Sequence, residues 1–224
     1  LTLGKKRNLM HDKSIGEIIV YMDDDDYYPP ERVSHAVDIL TSNKNTLCAG
    51  SSEIYIYFNH INKVYQFGPY GPNHATAGTF AFKRELLKIT RYNEEACLAE
   101  EKEFLKNYTI PFSQLNPTKT ILVFSHEQNT FDKKKLLTNA PNKYVKEATY
   151  SLEMLVKDKE LREFYSNTIH ERLKDYKEGG ISMKPDVIKQ TKEIEERRKK
   201  MNDENQNNQV ITITDNTGRQ KNYN

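Results

Sequence analysis

The first half of the chain alternates short apolar runs with amphipathic stretches. Residues 18–22 are almost wholly apolar, a pattern typical of a strand that is buried on both faces of a sheet. Two prolines end this strand, and apolar residues then recur at helical spacing over residues 33–40. The sequence therefore predicts a strand, an acidic turn and an amphipathic helix in that order.

Similar patterns predict the other elements of residues 1–142. The short β-like runs are separated by Gly, Pro and Asn, which favour turns, and residues 59–62 are short enough to close a hairpin. We therefore expect an α/β fold with a mixed sheet flanked by helices. Strands are predicted at residues 47–50, 54–58, 63–67, 79–82 and 120–125, and helices at residues 84–89 and 94–106.

The second half of the chain is more polar and mainly helical in pattern. An apolar stripe at helical spacing runs from Leu161 to Leu173, and a second helix with i, i+4 pairs of opposite charge begins near Pro185. The last residues are rich in Asn, with one alternating run at residues 210–214. We accordingly divide the chain into a first domain at residues 1–142, a helical C-terminal extension at 143–201 and a disordered tail at 202–224.

Composition and charge argue against several classes of protein. The chain has 34 basic and 32 acidic residues and a formal net charge of +2, which argues against nucleic-acid binding through bulk positive charge. No apolar run reaches the roughly 18–20 residues that span a bilayer. Cys48 and Cys97 are the only cysteines, too few for a disulfide framework, so we expect a reducing, cytoplasmic location.

Four consecutive aspartates, residues 23–26, directly follow the first predicted strand. In open α/β sheets ligands collect at the carboxyl ends of strands, which is where this cluster falls. Alternation along an extended chain would place Asp23 and Asp25 on one side, where two carboxylates can hold a divalent cation that neutralises a diphosphate. The alternative is a solvated acidic turn, or caps for the helix that follows.

Two other types of phosphate or metal site do not fit the sequence. A helix–loop–helix calcium site that starts at Asp23 would need Gly and Glu where the sequence has Tyr28 and Ser34. The sequence contains neither a glycine-rich loop ending in Gly-Lys-Ser/Thr nor a dinucleotide fingerprint after a strand. Phosphate binding through a metal is therefore favoured over binding by backbone amides.

Three short motifs occur in a fixed order: Lys6-Arg7-Asn8, Gly16-Glu17 before the strand, and the aspartates followed by Pro29-Pro30. This order resembles the middle of a GT-A-fold glycosyltransferase, most closely family 2 and its relatives in large DNA viruses. Residues 75–84 resemble the glycine-containing segment that lines the sugar and acceptor cleft of such enzymes, and residues 99–105 resemble the start of the helix that supplies a catalytic base. The likeness extends to about residue 135 and leaves out the C-terminal helices.

On the donor side, the resemblance implies that Asp23 and Asp25 hold Mn²⁺ or Mg²⁺ against the diphosphate of a nucleotide sugar, with Asp26 as a further metal ligand. Asp23 and Asp24 are also expected to contact the donor, and Arg7 to add positive charge near the nucleotide. The metal would stabilise the negative charge that builds on the departing nucleoside diphosphate.

On the acceptor side, the resemblance implies that Glu101 takes the proton from the attacking hydroxyl, with Glu100 beside it. The family usually has Asp at this position, and a retaining transfer would need no base. His126 ends the strand predicted at residues 120–125 and is expected to be an additional metal ligand. His74 lies in a loop rich in Gly and Pro, and a structural role is favoured for it over contact with substrate.

The sequence thus predicts a metal-dependent glycosyltransferase that uses a nucleotide-sugar donor and a glycan or protein acceptor, with no nucleic acid and no membrane span. GT-A domains begin with a nucleoside-binding strand–helix–strand unit, so we expect this chain to be a fragment that lacks it. If the protein is viral, it would lie in the host cytoplasm or the virion. A metal-dependent nucleotide-sugar or phosphate-ester hydrolase and a non-catalytic carbohydrate-binding or scaffold protein fit the same residues.

Overall fold

The structure is a computed structural model. It describes residues 1–98, 101–130, 132–138, 142–177, 180–207, 211–214 and 220–223, and it divides into two compact units, Leu1–Met183 and Lys184–Asn224. In the first unit, helices flank two four-stranded mixed sheets, which confirms the predicted α/β class.

Short strands build the two sheets of the first unit. They are β1 (Ile18–Val20), β2 (Cys48–Gly50), β3 (Ile54–Phe58), β4 (Lys63–Phe67), β5 (Ala81–Lys83), β6 (Phe112–Gln114), β7 (Leu122–Ser125) and β8 (Val145–Glu147). The first sheet has the order β1–β5–β2–β6, with β2 and β6 parallel and the other pairs antiparallel. The second has the order β7–β3–β4–β8, with β3 and β7 parallel and the other pairs antiparallel.

The predicted hairpin of β3 and β4 is confirmed. The two strands pair antiparallel from Ile54 opposite Phe67 to Phe58 opposite Lys63. Asn62 closes the connection in the left-handed region at φ 50°, which Asn adopts more readily than most residues. Because β3 also pairs with β7, the hairpin lies inside the second sheet.

Burial differs between the two strands that precede the predicted site residues. β7 is buried along its whole length, as the sequence predicted. β1 is only half-buried, since within the described ranges it pairs with β5 alone and lies at a margin of the first sheet. The expectation that β1 is buried on both faces is therefore wrong.

The helices of the first unit are mostly short. They are α1 (Leu3–Lys13), α2 (Arg32–Ser42), α3 (Glu101–Phe104), α4 (Lys135–Thr138), α5 (Leu152–Leu155), α6 (Lys159–Glu163) and α7 (Ile169–Leu173). A π-helical stretch, Phe164–Thr168, joins α6 to α7, and a 3₁₀ helix, Arg84–Lys88, follows β5. α2 confirms the amphipathic helix predicted after the aspartates and begins two residues after the proline pair.

The helix predicted at residues 94–106 is much shorter in the structure. Of its described residues, only Glu101–Phe104 form an α-helix. The backbone before it is used elsewhere, because the Ala96 carbonyl accepts a hydrogen bond of 2.9 Å from the Gly4 N–H at the start of α1. Asn93 Oδ1 accepts one of 3.0 Å from the backbone N–H two residues on. These contacts hold a turn where a helix would need its own ladder.

Aromatic side chains fill the core beside each sheet. Beside the first sheet, the rings of Tyr92 and Phe104 stack with centroids 4.2 Å apart. Beside the second sheet, Phe124 of β7 stacks on Tyr165 of the π-helical stretch at 4.5 Å. The segment after residue 142 thus packs onto the second sheet, to which it also adds β8 where the sequence predicted helix.

The second unit has its own short elements. Its helix α8 (Pro185–Asn207) confirms the helix predicted from Pro185, and strands β9 (Ile211–Thr214) and β10 (Gln220–Tyr223) pair antiparallel. β9 coincides with the alternating run at residues 210–214. Across the described parts of both units, no helix combines the length and apolar character needed to cross a bilayer.

Candidate active site

Arg32, at the start of α2, fixes the beginning of the acidic loop, which we define as residues 21–28. Its side chain is 1% exposed, and its Nη2 donates hydrogen bonds to the carbonyls of Tyr21, Thr79 and Phe80 at 3.1, 2.9 and 2.8 Å. The Tyr21 N–H in turn donates to the Phe80 carbonyl at 2.9 Å. The start of the acidic loop is thus held against the residues that precede β5.

The other end of the acidic loop is attached to β7. Tyr27 and Leu122 exchange backbone hydrogen bonds of 3.0 and 2.9 Å. Asp26 is buried, and its Oδ1 accepts a hydrogen bond of 2.8 Å from the Phe124 N–H. Burial, followed by the charge of Asp25, raises the pKa of Asp26 to about 7. The Asp26 carboxyl is therefore part of this attachment, and its role as a metal ligand stays a prediction.

His126, which follows β7, lies against Asp25. Its Nε2 is 3.1 Å from Asp25 Oδ2, and Asn129 Nδ2 is 3.2 Å from the same oxygen and 2.8 Å from Nε2. The Gln128 N–H donates to His126 Nδ1 at 3.2 Å, which favours a proton on Nε2 directed to Asp25, whereas the amide N–H of Asn129 beside Nε2 favours the other tautomer. A buried histidine 101 residues away in sequence thus contacts Asp25.

The negative charge of Asp25 is stabilised by its neighbours. Burial raises the pKa of Asp25, but the hydrogen bond from His126 and the charge of Lys133 outweigh it, so this pKa lies below its usual value. The Lys133 ammonium interacts with Asp26, Asp25 and Asp23, although burial lowers its own pKa. Lys133 is therefore an internal counter-ion of the acidic loop.

Asp23 lies on the side of the acidic loop that faces Gly78. A Cβ on Gly78 would come within 2.8 Å of Asp23 Oδ2, so only glycine leaves room for the carboxylate in this position. Tyr28 joins the same two residues, because its Oη accepts from the Asp23 N–H at 2.7 Å and donates to the Gly78 carbonyl at 3.2 Å. Desolvation by the surrounding protein, opposed by the charge of Arg7, raises the pKa of Asp23.

Glu101, at the start of α3, contacts the turn that contains Gly78. Its Oε1 accepts a hydrogen bond of 3.3 Å from the Ala77 N–H. This turn, Ala77–Thr79, is a single 3₁₀ turn within the segment that the sequence predicted to line a cleft. The structure therefore brings Asp23 and Glu101, the candidate metal ligand and the candidate base, to one short turn.

Arg7 is buried within the fold. Its guanidinium lies over the rings of Tyr21 and Tyr92, 5.3 and 5.1 Å from their centroids. Its charge lowers the pKa of Asp23 against the effect of desolvation. Arg7 thus supports the acidic loop from the protein side, and a contact with the nucleotide stays a prediction.

The remaining predicted residues are His74, Asp24 and Glu100. His74 packs between the rings of Tyr70 and Tyr108, with centroids 5.1 and 5.5 Å away, and burial lowers its pKa. Asp24 belongs to the loop itself, but its side chain is exposed. Glu100 lies outside the described residues. The predicted roles of Asp24 and Glu100 therefore stay predictions.

The carboxylates of the acidic loop fit a cation that is shared with a ligand. Among the described residues, no three Asp, Glu, His or Cys side chains converge on one point that could hold a metal. Magnesium is usually bound by one or two carboxylates together with substrate phosphates, and Asp23 and Asp25 provide two. His126 could bind the cation through Nε2 only in the tautomer without a proton on that atom. In the structure its Nδ1 accepts the Gln128 N–H, which disfavours that tautomer.

Three contributors to this site were not predicted from the sequence. Asn129 follows His126 by three residues, and that spacing after a buried strand was a usable signal. Lys133 begins a run of three lysines, a pattern more typical of solvated surface. Arg32 occupies an ordinary first-turn position of an amphipathic helix. For Lys133 and Arg32, only the tertiary contacts show a role at this site.

Comparisons with known proteins give structural likeness but no match to a family model. The sequence matches no family model, and no curated protein matches it significantly. Among solved structures, the chain is similar to residues 1–349 of TarS from S. aureus, with 20% identity and a TM-score of 0.37. The alignment covers 56% of this chain and 41% of that chain, so this chain spans less than half of the neighbour's length. Agreement of this extent is too weak to establish a shared function.

Proposed function

We propose that this chain is a metal-dependent glycosyltransferase that moves a sugar from a nucleotide-sugar donor to an acceptor hydroxyl. The observation that carries the proposal is the meeting of Asp23 and Glu101 at the turn Ala77–Thr79. Asp23 Oδ2 leaves no room for a Cβ on Gly78, and Glu101 Oε1 accepts the Ala77 N–H at 3.3 Å. Asp23, which could bind a cation, and Glu101, which could accept a proton, thus lie on either side of one turn. Transfer of a sugar from a diphosphate to a hydroxyl requires both functions.

The residues of the acidic loop would act on the donor. Asp23 and Asp25 would hold Mn²⁺ or Mg²⁺, which supplies positive charge against the departing nucleoside diphosphate when bound. His126 keeps Asp25 oriented through the 3.1 Å contact to its Oδ2. Lys133 is close enough to interact with both aspartates and would add a second positive charge toward the diphosphate.

Glu101 would act on the acceptor. Its Oε1 is held by the Ala77 N–H, and the carboxylate would take the proton of the attacking hydroxyl as the new glycosidic bond forms. In this step the hydroxyl oxygen bonds to the anomeric carbon, and the bond from that carbon to the diphosphate oxygen breaks. The leaving group departs as the nucleoside diphosphate.

Donor binding tests the proposal most directly. A panel of nucleotide sugars is screened with Mn²⁺ for a rise in the melting temperature, and the screen is repeated with EDTA. We expect at least one donor to stabilise the chain only with Mn²⁺, and Asp25→Asn to abolish that effect. Asp38→Asn, an exposed position of α2 with the same charge change, is the matched control.

The screen also separates the alternative functions. If no donor stabilises the folded chain with Mn²⁺, the donor site is refuted and a binding or scaffold role remains. If a donor binds, product analysis shows whether its sugar reaches an added acceptor or only water. Release to water alone, with every acceptor tried, would assign the site to a hydrolase.

A further inference from the structure

A second cluster of charged residues surrounds a cavity at the opposite end of β1 from the aspartates. The cavity has a volume of about 280 Å³ and lies between α1, the 3₁₀ helix after β5 and the residues that follow it. Gly16, which precedes β1, contacts one wall, whereas Asp23 lies beyond the end of that strand. The lining residues are His11, Asp12, Arg84, Leu87, Lys88 and Arg91.

Positive charge exceeds negative charge around this cavity. Arg84, Lys88 and Arg91 face one carboxylate, Asp12, which Arg91 already engages through two hydrogen bonds of 3.0 and 3.1 Å. Lys88 is exposed, and no described residue forms a hydrogen bond or ion pair with its ammonium group. Among the described residues, neither Arg84 nor Lys88 forms an ion pair with a carboxylate, in a chain whose formal net charge is only +2.

Arg84 is held in place before any ligand arrives. Its Nε donates to the Gly16 carbonyl at 2.6 Å and its Nη2 to Ser14 Oγ at 3.1 Å. A guanidinium fixed in this way loses little side-chain freedom when an anion binds to its remaining N–H groups. The cavity thus combines Arg84, whose guanidinium is already held, with Lys88, whose ammonium has no partner within the part of the chain that the structure describes.

His11 forms the inner wall of the cavity. It is 3% exposed, and its Nδ1 has no hydrogen-bond partner among the described residues, while its Nε2 contacts Tyr21 Oη at 2.5 Å. Burial, followed by the charges of Arg91 and Arg7, lowers the pKa of His11 to about 4, so the ring is neutral at physiological pH. The neutral ring leaves the charge of the arginines uncancelled, and its Nδ1 is a buried polar atom without a partner among the described residues.

We propose that this cavity binds a phosphate group, as inorganic phosphate or as a phosphomonoester. A dianion matches the two cations without a carboxylate, and fixed guanidinium groups suit phosphate oxygens. A second cavity of about 400 Å³ shares Arg84 and Lys88 with the first. It is also lined by Ile18, Thr41, Lys83 and two carboxylates, Glu17 and Glu85, so it gives space for an uncharged organic part of a monoester and not for a second phosphate. The site touches the acidic loop only through the contact of His11 with Tyr21, lies away from the aspartates, and does not depend on the proposed transferase activity.

Calorimetric titration of the whole chain with inorganic phosphate and with glycerol 3-phosphate tests the proposal. EDTA is present throughout, so that metal-bridged binding at the acidic loop does not contribute. Lys88→Gln should weaken binding about fivefold or more, since it removes the free cation. Asp12→Asn should strengthen binding about two- to fivefold, because it removes the competing carboxylate. Lys146→Gln, an exposed lysine of β8 in the second sheet, is the matched control and should bind like the unmodified chain.

The outcomes decide whether the site exists and whether its ligand is free phosphate or a phosphomonoester. Equal affinity for the two probes identifies free phosphate as the ligand, and tighter binding of glycerol 3-phosphate identifies a phosphomonoester. The site is refuted if neither probe binds, or if Lys88→Gln binds as well as Lys146→Gln.

Discussion

Replacing Asp26 by Asn measures how much stability the acidic loop costs the fold. Asn keeps an oxygen that can accept the 2.8 Å hydrogen bond from the Phe124 N–H, but it carries no charge. The pKa of Asp26 is about 7 in the folded chain against an ordinary value of 3.8. The folded state therefore binds this proton more tightly than the unfolded state does, and the fold loses stability as the pH rises from 3.8 through 7.

The size of the effect follows from the pKa of Asp26. A rise of about three units corresponds to on the order of 4 kcal/mol of lost stability once the pH is above 7. Below pH 7 the folded state keeps its proton while the unfolded carboxyl ionises, so roughly 1.5–2 kcal/mol is lost already at pH 5. We expect Asp26→Asn to stabilise the chain at pH 8, and by on the order of 2–3 kcal/mol more than it does at pH 5.

Urea unfolding followed by circular dichroism, with EDTA present, measures this difference at both pH values. Asp38→Asn is the control, because it removes one negative charge from an exposed position of α2. Its free energy of unfolding should differ little from that of the unmodified chain. An Asp26→Asn variant that gains no stability at pH 8, or gains equally at pH 5 and 8, would refute the buried, proton-binding role of Asp26.

Two further substitutions probe the turn between the acidic loop and α3. Gly78→Ala should leave the free energy of unfolding nearly unchanged, because its new Cβ meets the movable end of the Asp23 side chain at 2.8 Å. Mn²⁺-dependent donor binding, measured in a thermal-shift titration, should nevertheless weaken at least about tenfold. Unchanged binding would contradict a donor role for Asp23. Glu101→Gln keeps an oxygen for the Ala77 N–H and removes the proton acceptor, so sugar transfer measured with a labelled donor should fall about 10²–10⁴-fold while donor affinity stays within about twofold. Equal losses of transfer and affinity would instead assign Glu101 to donor binding.

Elements decided by a local pattern were predictable from the sequence. The hairpin of β3 and β4 follows from two β-like runs around a short turn, and Asn62 suits the left-handed residue that closes it. α2 follows from helical spacing behind two prolines, and its prediction needed no knowledge of its neighbours. Each of these elements is largely specified within about a dozen residues.

The arrangement of the site depends on long-range contacts and was only partly predictable. The strand-end positions of the aspartates and of His126 were visible in the sequence, and the structure places His126 Nε2 3.1 Å from Asp25 Oδ2, while their roles as metal ligands stay predictions. The direction of each carboxylate was not predictable, because it is set by groups far along the chain, such as the Phe124 N–H for Asp26. The length of α3 was predicted wrongly for a similar reason, since the backbone before it hydrogen-bonds α1 instead.

The acidic loop bridges the two sheets of the first unit, so its charges bear on stability as well as on the proposed function. Arg32 attaches its start beside the first sheet, and the Asp26 carboxyl attaches its end to β7 of the second. Asn at position 26 could keep that attachment without the charge, so the attachment alone gives no physical reason for a carboxylate whose pKa is raised to about 7. A cation beside Asp23 and Asp25 would supply such a reason, because nearby positive charge lowers the pKa of Asp26 and returns stability to the folded state. Lys133 and the Phe124 N–H offset only part of the effect of burial on Asp26, and the cation proposed above would offset more of it.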